Sequence, residues 1–223
     1  VKMIGPYTSG AVDENYVQET DEEYGMYTPA SLQYGEYTAS GARNPSLGGE
    51  MITTTFNDGY TMQTATRKQN LSYWNKTAGK ASNYSDLEML QRVAGLKTDA
   101  PVVVIMTANR SGAMVWSEVE PLADTILYAY GSATDAAIVQ ILAGEVEPSA
   151  LLVHQQPASM QTVEKEFEDV PRDLECYTDA DGNVYDFAYG LNWSGKIDDE
   201  RVKTYSAAPL TECTSFDFKY ANQ

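Results

Sequence analysis

Ala100-Pro-Val-Val-Val-Ile-Met106 decides how this chain is read. Its core, Val102 to Met106, is the longest apolar run and shows no alternation of apolar and polar residues. A membrane-spanning helix needs about 20 apolar residues, so nothing here crosses a bilayer. A short β-branched run without alternation suits a strand covered on both faces, as in a parallel sheet.

The flanking segments fit that reading. Upstream, Ser85-Asp-Leu-Glu88 has the spacing of a capping box, and Leu87, Leu90, Val93 and Ala94 then share one helical face before Gly95. Downstream, Ser117-Glu-Val-Glu120 predicts a second capping box and a short helix to about Ala123. Thr125 to Tyr130 reads as the next strand. Asp135 predicts the cap of a helix over Ala136 to Ala143, which Gly144 ends, and Ala150 to Val153 reads as a further strand. Val1 to Pro6 reads as a first short strand. Helices and strands alternating through short connections predict an α/β fold: a mostly parallel sheet flanked by helices, a three-layer α/β sandwich, within one domain over residues 1–223. Ligands of such sheets sit beyond the carboxyl ends of the strands. Three loops occupy that edge: Gly5-Pro6-Tyr7, Thr107 to Ser111, and Gly131 to Asp135.

Residues 7–83 read differently. They are rich in Tyr, Thr, Ser and Gly, with Tyr24, Tyr27, Tyr34 and Tyr37 recurring too irregularly for a solenoid. A long, weakly periodic segment of this kind is expected as a loosely structured or β-ribbon arm, part of it covering a partner. Past Gln155, Asp181-Gly182 is a hairpin turn signal. The alternative, a calcium loop over Asp179 to Asn183, lacks the spacing that ends in a bidentate Glu.

With 15 basic against 32 acidic residues the net charge is −17, which repels phosphate backbones and excludes nucleic acid as a partner. Cys176, Cys213 and His154 lack metal-ligand spacing, so free thiols are expected and neither metal nor cofactor. No secretory signal precedes the first strand, which points to a cytoplasmic, bacterial protein. The start at Val1 instead of Met leads us to expect a trimmed or excised segment. Asn70-Leu-Ser, Asn75-Lys-Thr, Asn83-Tyr-Ser and Asn192-Trp-Ser are then accidental matches to glycosylation acceptors.

Together, Ala100 to Met106, Leu122-Ala-Asp-Thr-Ile-Leu-Tyr128, Ile141-Leu-Ala-Gly-Glu-Val-Glu-Pro-Ser149 and Phe187-Ala-Tyr-Gly-Leu-Asn-Trp193 resemble, in order and spacing, the C-terminal sheet domain of family 3 glycoside hydrolases. The resemblance covers Ala100 to Gly195 well and residues 1–83 loosely. It implies the sheet half of a retaining β-glycosidase, β-glucosidase-like, whose (β/α)₈-like barrel lies in cis or on another chain. The active site would lie between the two, with the nucleophilic Asp on the barrel and the acid/base Glu on the sheet domain. Retention needs two carboxyl groups about 5–5.5 Å apart, and this chain then supplies at most one of them, so in isolation it is expected to be inactive. The family's acid/base segment is not recognisable between Thr53 and Ser85, which leaves Glu50 and Asp58 as the candidates. A non-catalytic carbohydrate-binding or structural module is the alternative.

For the carbohydrate itself, Asn109 and Arg110 stand just past the buried strand, where an amide and a guanidinium suit hydroxyl recognition. Trp74, Trp116 and Trp193 offer aromatic faces, with Trp74 in the most polar context and therefore the preferred platform. His154, the sole histidine, supports no Ser-His-Asp arrangement.

Overall fold

The structure is a computed structural model, and it describes residues 1–8, 30–41, 51–57, 62–68, 77–96, 98–109, 112–131, 133–166 and 172–205. In chain order the strands are β1 (Lys2–Ile4), β2 (Tyr37–Thr38), β3 (Met51–Asn57), β4 (Met62–Lys68), β5 (Thr77–Ala78), β6 (Val103–Thr107), β7 (Thr125–Ala129), β8 (Leu191–Asn192) and β9 (Gly195–Lys196). The helices are α1 (Tyr84–Ala94), α2 (Asp135–Leu142), α3 (Met160–Lys165) and α4 (Glu200–Tyr205).

The chain is α/β, built on a parallel sheet in the order β1-β6-β7. The apolar run lies in the central strand, as its composition predicts. The register aligns Met3 with Met106 and Met106 with Tyr128, and Val104 with Ile126. Partners in a parallel ladder point to the same side, so these residues form one face. That face is the core: Met3, Val104 and Met106 are buried together with Leu87 and Leu90 of α1, Tyr34, Met114, Trp116 and Val119. The other face is only half covered, since Val103, Ile105 and Thr107 keep partial exposure and Ile4 is 54% exposed. The strand expected to be sealed on both sides therefore alternates in burial. Among the described residues, the element tied to this second face is α2, through a Lys2–Asp135 ion pair of 2.8 Å. Its other burial is limited to Ile138.

Several local expectations need correction. Ser85 does not cap α1. The cap position is Asn83, whose side chain makes no capping bond because it serves the loop after β1. Ser117 to Glu120 is no capping box either. Two 3₁₀ turns, Trp116–Glu118 and Glu120–Leu122, run there instead. The Glu118 carboxylate accepts the backbone N–H groups of Tyr34 (2.6 Å) and Gly35 (2.9 Å), so it is not free to reach back to a cap. Helix α2 is capped by Thr134, not Asp135: the hydroxyl accepts from Ala137 N at 3.3 Å. Ala150 to Val153 forms no strand. Leu152 exchanges backbone hydrogen bonds with Ala188 and Tyr189, but Ala188 sits at φ 67° and breaks the extended run after one exchange.

Within residues 7–83, β3 and β4 form an antiparallel ribbon from Met51↔Lys68 to Asn57↔Met62, and β2 pairs with β5. Tyr34 enters the sheet core, where it is fully buried and its hydroxyl donates to Ile4 O. The Asp181-Gly182 turn forms as predicted, with Gly182 at φ 81°. Asp179 Oδ1 accepts the N–H groups of Asp181 and Asn183, so the turn's own donors engage it.

Candidate functional site

The rim at the carboxyl ends of β1 and β6 is built by two asparagines. Asn83 stands at the start of α1 and clamps the loop Gly5-Pro6-Tyr7. Its Oδ1 accepts Tyr7 N at 2.8 Å, and its Nδ2 donates to Ile4 O at 2.9 Å and Gly5 O at 3.3 Å. Ser82 N donates to Tyr7 O at 2.8 Å, so the loop is held by backbone and side chain alike. From the other side Asn109 Nδ2 donates to Pro6 O at 2.7 Å. Gly5 N continues the ladder to Thr107 O at 2.8 Å. A Cβ on Gly5 would lie 3.3 Å from Asn109 N, so glycine permits the two loops to meet. Asp86, one turn into α1, adds a carboxylate: Oδ2 receives Asn83 Nδ2 at 3.3 Å and Ile4 N at 3.4 Å. Tyr7, within the loop, is 40% exposed. The rim is thus polar, with its amides and carboxylate engaged in holding the loop Gly5-Pro6-Tyr7.

Beneath the loop after β6 lies a buried amide. Gln156 is 0% exposed; its Oε1 accepts Met114 N and Trp116 Nε1, both at 2.9 Å, and its Nε2 donates to Gly112 O at 3.1 Å. Gly112 O also receives the Tyr128 hydroxyl at 2.6 Å. Gly112 has φ 67°, and a Cβ there would collide with the His154 ring, so this position needs glycine on two counts. Trp116 meets Tyr128 edge-on at 5.1 Å and Tyr185 at 6.0 Å, and Tyr185 continues to Tyr177 and Tyr189 at 5.3 Å each. Burial holds the phenols of Tyr34, Tyr128, Tyr177 and Tyr185 well above their usual range. Nearby carboxylates add to this at Tyr34, Tyr177 and Tyr185. Burial, with Asp179 next, pushes Tyr189 up to about 12. These rings are a hydrogen-bonding and packing layer that ionises only in strong base.

Of the residues expected to bind or act, Asn109 reaches the rim. Glu50, Asp58, Trp74 and Arg110 lie outside the described residues. Trp116, at 2% exposure, is a core residue with its indole N–H committed, so it offers no free face. Trp193 is 56% exposed. His154 packs against Tyr130, ring centroids 5.9 Å apart. Cys176 carries a free thiol, pushed up to about 11 by burial and then by Asp186; Cys213 lies outside the described residues. Sequence reasoning missed Asn83 and Gln156. Asn directly before a helix is a signal for the first; nothing marks the second.

The model of the glycosyl hydrolase family 3 C-terminal domain matches residues 75–193, more than half of the chain. The chain belongs to this family. A search of curated proteins and a search of solved structures returned no match. The family 3 match takes in α1, β6, β7 and α2 and closes at the β8–β9 turn. Strand β1 precedes the matched residues yet pairs with β6, so this family 3 domain recruits an edge strand from upstream. Among its described residues no three His, Cys, Asp or Glu side chains gather as a metal site, and no helix is long and apolar enough to cross a membrane.

Proposed function

We propose that this chain completes the active-site cleft of a retaining β-glycosidase, β-glucosidase-like, whose catalytic barrel lies in cis or on a separate chain. The observation that carries the reading is the family match over the parallel-sheet core, combined with a polar rim at the carboxyl ends of β1 and β6. In this proposal the barrel supplies the nucleophilic carboxylate. This domain supplies the acid/base from Glu50 or Asp58, and Asn109, Arg110 and Trp74 hold the sugar. Residues 1–223 act as one domain, with part of residues 7–83 as an arm toward the barrel, and the complete sheet sits in a three-layer sandwich. The enzyme works on carbohydrate in the cytoplasm of a bacterium, without cofactor, nucleic acid or membrane.

The experiment is an assay on aryl β-glucosides of the 223-residue chain alone and joined to its barrel. Turnover is expected only with the barrel present. In the joined enzyme, Glu50→Gln and Asp58→Asn separate the candidates: the true acid/base loses about 10²–10⁴-fold on substrates with poor leaving groups. Robust turnover by the chain alone would overturn the proposal. A second reading, a module that holds a glycan without cleaving it, is favoured by the rim carboxylate Asp86 being held by Ile4 N and Asn83 Nδ2 instead of standing free to transfer a proton. It is distinguished by oligosaccharide binding with no turnover under either condition.

A further inference from the structure

The segment that closes the family match carries an aromatic face that the core does not use. In the hairpin β8–β9, Leu191 pairs with Lys196 and Asn192 with Gly195, which places Trp193 and Ser194 at the centre of a two-residue turn. Gly195, at φ 110°, permits the tight reversal. A side chain at the tip of such a turn does not reach the core, and Trp193 keeps 56% of its surface exposed. An exposed indole leaves a large apolar surface in water, while the chain is anchored just beyond the hairpin. Ile197 is buried and its N–H donates to Gly190 O at 3.0 Å. Gly190 lies so close to Ala150 O that a Cβ would strike it. The exposed ring therefore stands on a fixed base.

Polar groups flank the ring in a particular arrangement. Glu147 Oε1 accepts the Trp193 backbone N–H at 3.3 Å, and Glu147 Oε2 has no further hydrogen bond among the described residues. Asn192 Oδ1 accepts Ser194 N at 2.9 Å, and its amide nitrogen likewise has no partner among them. An open aromatic face beside one spare acceptor and one spare donor matches a sugar ring, whose apolar C–H face stacks while its hydroxyls both give and take hydrogen bonds. Glu147 follows the C-terminal end of α2, whose N-terminal end follows the rim after β7. The hairpin's polar contacts run to Glu147 and within the turn, whereas those of Asn83 and Asp86 run to the loop after β1, so hairpin and rim are built from different residues.

We infer that the β8–β9 hairpin is a secondary carbohydrate site, with Trp193 as stacking platform and Glu147 and Asn192 as hydroxyl partners, taking β-linked oligosaccharides outside the cleft. The choice of ligand class rests on the carbohydrate reading above.

The test uses the full 223-residue chain, titrated calorimetrically with cellohexaose, laminarihexaose and xylohexaose. Binding of at least one hexaose is expected. Trp193→Ala should weaken it on the order of tenfold, the scale of losing half an indole face of contact. Trp193→Tyr should stay within about threefold because it keeps a ring. Asn192→Ala should weaken binding severalfold without removing the platform. Three results each overturn the inference: no hexaose bound by the unaltered chain, affinity indifferent to Trp193→Ala, or an Ala variant that changes self-association or barrel association instead of hexaose affinity. Aryl β-glucoside turnover reports on the cleft and hexaose affinity on the hairpin, so the two proposals fail separately.

Discussion

Replacing Gln156 by Leu keeps the volume of the side chain and deletes its polar atoms. In the folded chain this strips the acceptor from Met114 N–H and from the Trp116 indole N–H, both buried and each 2.9 Å from Gln156 Oε1. A buried donor left without a partner costs about 1–3 kcal/mol. Gly112 O loses Gln156 Nε2 but keeps the Tyr128 hydroxyl at 2.6 Å, so it adds little. Set against a gain of about 1–2 kcal/mol for the extra apolar burial, the net loss is about 3 kcal/mol. At a urea m-value of about 2 kcal/mol/M the unfolding midpoint should fall by about 1.5 M with an unchanged slope. Urea titration followed by near-ultraviolet circular dichroism, which reports the packed Trp116, measures this. A midpoint within about 0.3 M of the parent, at equal slope, would refute the reasoning that this amide joins the loop after β6 to the C-terminal segment.

Asn83→Ala removes the bonds that clamp Gly5-Pro6-Tyr7, and it should cost about 1–2 kcal/mol and speed hydrogen exchange at the Tyr7 amide; Asn83→Asp, which keeps the acceptor for Tyr7 N, should restore part of both. The phenols of Tyr34, Tyr128, Tyr177 and Tyr185 are all raised, Tyr189 to about 12 and the Cys176 thiol to about 11. Their folded values exceed the unfolded ones of about 10 for Tyr and 8.5 for Cys, so stability is fully present below those values and falls as pH rises through the folded ones. The share of tyrosinate absorbance due to these five rings should therefore appear cooperatively with unfolding above about pH 10; a titration with no cooperative step would contradict the burial of these rings.

How much of this was legible in the sequence differs from element to element. The β-branched run Val102 to Met106 marks its strand because burial in a sheet selects such residues locally. Likewise the acidic start of α1 and the Gly after it delimit that helix within a residue or two. The caps were misassigned where a side chain had a better partner far along the chain. Asn83 is drawn to Tyr7, and Glu118 to Tyr34 and Gly35. Such partnerships are tertiary and leave no local pattern. Ala150 to Val153 has strand composition, but a strand is defined by its neighbours, and only Leu152 finds a brief exchange. In the site, Asn109 followed from its position after β6, whereas Gln156 is a single amide in an ordinary sequence whose role depends wholly on what folds around it.

Strand β1 and its partner β6 are separated by about a hundred residues of chain, and β7 is further still. Translation proceeds at about 5–20 residues per second and loop closure grows costlier with length. A nascent chain therefore carries Met3 uncovered for several seconds before the strand that pairs with it has even been made. Production of this protein should accordingly be sensitive to ribosome speed and to holding chaperones more than the modest size of its sheet would suggest.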